Sequence, residues 1–288
     1  MSHTNISIAT SAMLAEISVS CWTAKKVAKK ETEELTDAKS ASKRAAQVHK
    51  NLLSDDARLE RINKYAAEIR NWVSRVTTPW SDTGVRLVTT KQFFAFKQGL
   101  DAHAQHFNSL VDDFVQMYPT LISAQAFKLG TMFSRDEYPS PDEVASKFGM
   151  RYAFMPVPES GDFRVDIADD IAADLKAQYD KEYNDRLARV QGDLWARLKD
   201  TLDKMSDRLG CEADGKNRIF RDSLVDNALE LCDLLADLNV TGDADLEEAR
   251  RQTAIALRGI TAQELRKNED IRKDVKSQVD DIRSKFAF

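Results

Sequence analysis

The sequence predicts a mainly α protein: a helical bundle with a small β-hairpin or sheet element and an elongated, antiparallel, coiled-coil-like helical arm. Three observations predict it. Long stretches place apolar residues at three- and four-residue steps, the period of one helix face. Hydrophobic residues make up 42% and charged residues 31%, with only 10 glycines and 6 prolines. That mix is too apolar for a disordered chain and too poor in turn residues for an all-β one. One patch, "FMPVPESGDFRV" at 154–165, breaks the helical rhythm with two prolines and a Ser-Gly turn. The expected divisions are an N-terminal strand or arm with a basic helix (1–53), a globular helical part ending in a hairpin (54–167) and an acidic helical arm (168–288).

Residues 6–22 contain "ISVSCW", whose β-branched residues suit a short strand or a docked extended arm. The Lys- and Glu-rich run that follows, to residue 50, reads as a surface helix with loose ends or a partly disordered arm. From 54 to about 76, Leu59, Ile62, Ala66, Ile69 and Val73 share one stripe. "TTPWSDTG" at 77–84 is a loop by composition. A helix from about 90 carries Phe93, Phe96, Leu100, Phe107, Leu110, Phe114 and Tyr118, the main core candidate. Pro119 is expected to break it or to open a successor that reaches about 133. Ser140 as N-cap, Pro141 in the first turn and Asp142 and Glu143 at the positive end of the helix dipole predict a short helix ending at Gly149.

Residues 151–157 alternate, 159–161 turn and 162–167 alternate again, so the patch reads as a β-hairpin. Pro156 and Pro158 cannot donate ladder bonds, so its first arm is expected to be an edge strand or to leave the pairing early. A lone hairpin is marginal in water, and residues 17–22 are the expected third strand. From 168, Ile171, Leu175, Tyr179, Leu187, Val190, Leu194, Leu198, Leu202, Met205 and Leu209 make a helix on the order of 60 Å long. Gly210 is expected to end it in the left-handed region. A return helix (217–238), another through 257 and a last one opened by Thr261 and Glu264 follow. The last stripe, Val275, Val279, Ile282 and Phe286, is thin and calls for a partner helix from this chain or another copy.

The candidate chemistry is sparse. His103 and His106 sit three apart on a helix face but lack the further ligands that zinc requires. Asp162 and Asp166 flank Arg164 and read as a hairpin ion pair rather than an acid–base couple. "GDADLEE" at 242–248 lacks the glycine and terminal glutamate of a calcium loop. No phosphate-binding glycine loop or nucleophile elbow occurs. Cys21, Cys211 and Cys232, unevenly spaced, read as small core fillers of a reduced protein. With no basic leader followed by an apolar run and no ~20-residue apolar stretch, the expectation is a cytoplasmic, non-catalytic protein without cofactor or metal. A formal net charge of −5 argues against general nucleic-acid coating. Lys25, Lys26, Lys29, Lys30, Lys43 and Arg44 form the one basic candidate for a nucleic acid.

"ISVSCWTAKKVAKK", "TTPWSDTGVRLV", "FVQMYPTLI", "LGTMFSRDEYPSP" and "PVPESGDFRV" occur in this order. Together they resemble tailed-phage and prophage proteins of the domain-of-unknown-function 3150 type, over roughly the first 170 residues. The resemblance implies no activity. By association of genes it implies an accessory role beside a MoxR-type AAA+ ATPase or a von Willebrand-type partner; apart from the resemblance, the apolar helix faces lead to the expectation of a homo-oligomer or of docking on a partner in the bacterial host cell. Within these motifs Trp80, Asp82, Tyr138, Asp162, Phe163 and Arg164 are the candidate partner contacts, on loops positioned by a rigid scaffold. The plainer reading of these residues, and the one the sequence favours, is architectural: they shape the junction between the bundle and the hairpin, Trp80 and Phe163 packing and Gly84 and Gly161 turning.

Overall fold

The computed structural model describes residues 8–42, 44–54, 56–158, 169–211 and 217–286. Its elements are β1 (Ala12–Ser20), β2 (Lys25–Val27), α1 (Lys29–Ala38), β3 (His49–Asn51), α2 (Ala57–Val76), β4 (Thr78–Pro79), β5 (Arg86–Thr89) and α3 (Phe93–Leu129). They continue with α4 (Pro141–Ala145), β6 (Gly149–Pro156), α5 (Asp169–Leu209), α6 (Ser223–Leu238), α7 (Ala244–Leu257), α8 (Ala262–Lys267) and α9 (Glu269–Lys285). The fold is mostly helical with a small antiparallel sheet, as expected. Contacts group it into two compact units, one from 1–16, 74–96 and 153–288, the other from 17–73 and 97–152. The divisions expected at 53 and 167 follow the chain, whereas each unit gathers separated segments.

The sheet runs β4-β5-β1-β6. β1 pairs with β5 from Ala12 opposite Thr89 to Ala15 opposite Arg86, and β5 pairs with Thr78 and Pro79. Residues 17–20 of the "ISVSCW" segment are therefore strand, with Cys21 and Trp22 beyond its end, and the first hairpin arm, β6, lies beside β1 at the end of the described sheet, a place that tolerates proline. The second arm, 162–167, lies outside the described residues. β4 and β5 went unpredicted: two and four residues are too few for a period of two to register.

In the second unit, Leu59, Ile62, Ala66, Ile69 and Val73 of α2 are all buried, as are Leu100, Phe107, Leu110, Phe114 and Tyr118 of α3. A Cβ on Gly99 would lie 2.5 Å from the Trp72 ring, so glycine lets α3 approach α2 closely. Pro119 neither breaks α3 nor starts a new helix; it lies inside an unbroken 37-residue one. A proline costs the helix the bond to Val115 O, but Tyr118, Ile122 and Gln125 on both sides of it are buried, so packing holds both halves in line. Ser140 caps a short helix as expected, and a capping box with Glu143 closes its start; the helix ends at Ala145, and Gly149 opens β6.

The lysine-rich segment is neither a plain helix nor a loose arm. β2 and β3 pair antiparallel, Lys26 opposite Lys50, and α1 fills the interval. Thr32 Oγ1 donates to Ala28 O (2.7 Å) and accepts from Val48 N (2.9 Å), tying the helix to the returning chain. Lys50 is buried, donates to Met132 O at 2.8 Å and pairs with Glu137.

In the first unit the α5 stripe serves two cores in turn. Tyr183, Leu187 and Val190 pack with Ile8, Trp80, Leu87 and Val157. Leu194, Leu198, Leu202, Met205 and Leu209 pack with α6, α7, α8 and α9. The antiparallel α5/α6 pair is thus joined by three further helices. The partner that α9's thin stripe calls for comes from this chain: Val275, Val279 and Ile282 are buried in that core. α8 and α9 are two helices because Asn268, accepting from Asp270 N and Ile271 N, caps a new start. α6 begins at Ser223 rather than near 217, the intervening residues forming a bridge from Asn217 to Cys211 and a connection.

Gly210 does not adopt the left-handed conformation; the positive-φ glycines described are Gly84, Gly130, Gly242 and Gly259. The end of α5 is satisfied from elsewhere. Arg272, 3% exposed, donates from Nε to Leu209 O (2.9 Å) and from Nη2 to Arg208 O (2.8 Å), Gly210 O (3.2 Å) and Arg218 O (2.9 Å). Its guanidinium also lies 5.3 Å from the Phe220 ring. Orphan carbonyls at a helix end need such donors, and only a guanidinium offers the planar fork. Arg272→Met should lower unfolding stability by about 2–4 kcal/mol, since charged hydrogen bonds are lost and buried carbonyls stay unpaired. Arg272→Lys should recover less than half of that, measured by urea denaturation followed by circular dichroism.

Candidate interaction surface

The residues singled out in the sequence fall in unlike places. Trp80 is 1% exposed; its ring meets Tyr183 edge-on at 5.7 Å, and the Arg186 guanidinium lies 5.8 Å from its centre. Tyr138 is 5% exposed and donates to Leu52 O at 2.8 Å. Both are core residues and offer no contact surface, because neither ring reaches solvent. Trp80 belongs to the first unit and Tyr138 to the second. Asp82 is exposed and 3.0 Å from Arg189 Nη1. Asp162, Phe163 and Arg164 lie outside the described residues, as does Lys43. Of the basic set, Lys25, Lys26, Lys29, Lys30 and Arg44 are exposed, and Lys30 faces Glu34 at 4.0 Å.

The histidines lie against aromatic rings. Tyr65 Oη is 2.8 Å from His103 Nδ1, with Trp72 4.7 Å from the same ring and His106 4.6 Å from the Tyr65 ring. Among the described residues no group of three or more His, Cys, Asp or Glu is placed to hold a metal ion. Cys232 is buried, Cys21 half-buried and Cys211 exposed, so Cys211 is not a core filler. Burial pushes the Cys232 thiol up to about 11 and raises that of Cys21, which Arg70 partly opposes.

A second arginine cap organises the end of α2. Arg197 on α5 donates to Ser74 O (2.8 Å), Arg75 O (2.6 Å) and Thr77 O (2.7 Å). Arg86 on β5 donates to Thr77 Oγ1 (2.8 Å), Thr77 O (2.9 Å) and Ser74 O (3.2 Å). Asp193 Oδ2 lies 2.8 Å from Arg197 Nη2. Burial pushes the Asp193 carboxyl above its ordinary range against the pull of Arg197 and Arg86, and pushes Arg86 down.

Beside this cap, a groove follows the seam of α5 and α6. One section, about 700 Å³, runs from Ser74, Arg75 and Val76 past Arg197, Asp200, Thr201 and Lys204 to Asn227, Glu230, Leu231 and Leu234. The next, about 600 Å³, shares Lys204 and Asn227 with it and ends among Arg208, Ile219, Phe220, Arg221, Ser223 and Leu224. Leu224, Leu231 and Leu234 are half-buried, their inner sides against the core; Ile219 is 86% exposed. No sequence motif marks the groove. Its one legible signal is an apolar arc on α6 wider than one stripe: Val225, Ala228, Cys232 and Leu235 bury it, leaving the leucines beside them partly uncovered.

No family model, no curated protein and no solved structure matches the chain. Among the described residues no helix is long and apolar enough to cross a membrane.

Two outcomes follow from these environments. A thiol reagent at pH 8 should modify Cys211 first, Cys21 slowly and Cys232 only as the protein unfolds, as peptide mapping over time will register. His103 is held below the ordinary histidine value, by burial first and by His106 second, against Glu68. A depressed histidine folds best neutral, so its contribution is present above about pH 6.5 and is lost as pH falls through the folded value. The melting temperature should therefore drop between pH 7 and 5, and less so in His103→Gln.

Proposed function

We propose that this chain is a non-catalytic interaction protein of the phage or prophage kind, one that docks a partner protein in the host cytoplasm. The observation that carries this reading is the α5/α6 groove, an apolar floor of half-buried leucines left open beside the core that α5 and α6 share. Loops and seams on a rigid scaffold are where contacts concentrate. The resemblance to domain-of-unknown-function 3150 proteins makes a MoxR-type AAA+ ATPase the first partner to test. Self-association through the α9 stripe loses its basis, because that stripe is buried within the chain itself.

The test is affinity capture from phage-infected cells with nuclease present, using the wild type and Leu231→Gln. The reading expects a nuclease-resistant ATPase or other defined protein that binds the purified wild type and loses at least fivefold in the variant. Equal binding by the two, or no direct binding, contradicts it.

A second reading, nucleic-acid binding, has one observation in its favour: Lys25, Lys26, Lys29 and Lys30 are all exposed on β2 and the first turn of α1. If it is right, changing these four lysines to alanine will flatten the salt dependence of binding to a labelled oligonucleotide.

A further inference from the structure

The groove's rim and floor together specify its occupant. We infer that, if a partner docks there as proposed above, the occupant is an acidic amphipathic helix of another protein, about three turns long. The length comes from α5: the groove follows it from Arg197 to Arg208, roughly 17 Å at 1.5 Å per residue. The floor is a row of half-buried leucines on α6, spaced like the faces that receive apolar anchors in helix-in-groove recognition. It presents no exposed aromatic platform, which single-stranded nucleic acids need for stacking; Phe220 at the groove's end is buried.

The rim sets the sign. Arg75, Lys204, Arg208 and Arg221 stand along it against Asp200 and Glu230, in a chain whose formal net charge is −5. Arg75, Lys204 and Arg221 are exposed and make no ion pair among the described residues, and Arg208 reaches Asp207 at only 3.9 Å. Arg197 is already committed to the α2 carbonyls and Asp193, so it shapes the wall and is not counted as free charge. Uncommitted cations beside an open apolar floor favour a ligand with carboxylates flanking leucine-type side chains. Such complementarity steers encounter and sets orientation more than it adds affinity.

The experiment uses the full chain and three labelled synthetic peptides of about three turns. One is acidic and amphipathic with leucine anchors, the second replaces its glutamates by lysines, and the third is a scramble of the first. Fluorescence anisotropy should show binding of the acidic peptide only, weakened at least tenfold by the double variant Lys204→Glu/Arg221→Glu and weakened by raised salt. Both positions are exposed, and circular dichroism with an unchanged melting curve confirms that the variant is folded. Binding of all three peptides alike, or binding that the double variant leaves intact, overturns the inference. A dimer of the wild-type chain in sedimentation, lost in the double variant, also overturns it by placing a second copy in the groove.

The partner captured from cells separates this failure from that of the docking reading. If Leu231→Gln releases that partner while the charge reversal does not, docking stands and the acidic helix falls. If neither change releases it, both fall.

Discussion

The structure of the first unit depends on arginine forks that close helix ends from a distance. An α-helix leaves its last four carbonyls without intrahelical partners, and the common local remedy is a glycine turning left-handed just beyond the end. Here the end of α5 is closed by Arg272 of α9, more than sixty positions away, and the end of α2 by Arg197 of α5 and Arg86 of β5. A helix end that is closed by a remote side chain is a tertiary contact. The last turn of α5, the connection through Arg218 and Phe220, and the second turn of α9 therefore order together or not at all. Phe220 reinforces this, its ring centre lying 5.0 and 5.3 Å from the guanidinium groups of Arg266 and Arg272.

The groove is a consequence of the same arrangement. Arg197 holds residues 74–76 beside α5 and thereby supplies one wall, while α6 lies along the other side of the seam. α6 closes the core with one part of its apolar arc, and the leucines beside that part are left half-covered. Of the cations beside them, Arg75, Lys204 and Arg221 make no ion pair among the described residues, in contrast to Lys50, whose ammonium is consumed by Glu137 and the Met132 carbonyl. Position in the fold, more than residue type, separates the cations that are structural from those free to meet a ligand.

Much of the helical framework was legible because periodicity survives packing: the α2 stripe, the α3 core residues and the α5 stripe from Leu187 to Leu209 all lie where three- and four-residue steps place them. Caps written locally, Ser140 with Glu143 and Thr261 with Glu264, were legible too. Features decided by distant partners were not. Pro119 reads as a break until Tyr118 and Ile122 are seen packed on both sides of it. Gly210 reads as a left-handed stop until Arg272 supplies the donors instead. Trp80 reads either as a packing residue or as a loop contact, and Tyr138 as a shaper of the junction or a loop contact, because aromatic residues in loops are ambiguous; burial decides for the core in both. The groove escaped notice because it is a surplus of leucine on one helix, intelligible only once the rest of α6 is accounted for.

Hydrogen exchange read by mass spectrometry, on Arg272→Lys and Arg197→Lys beside the wild type, tests the fork account most directly. Lysine keeps the charge and loses the planar fork. Exchange should quicken across 205–211 and 217–222 in the first variant and across 74–89 in the second, each leaving the other's segment protected. Wild-type protection in both segments of both variants would contradict closure by the forks.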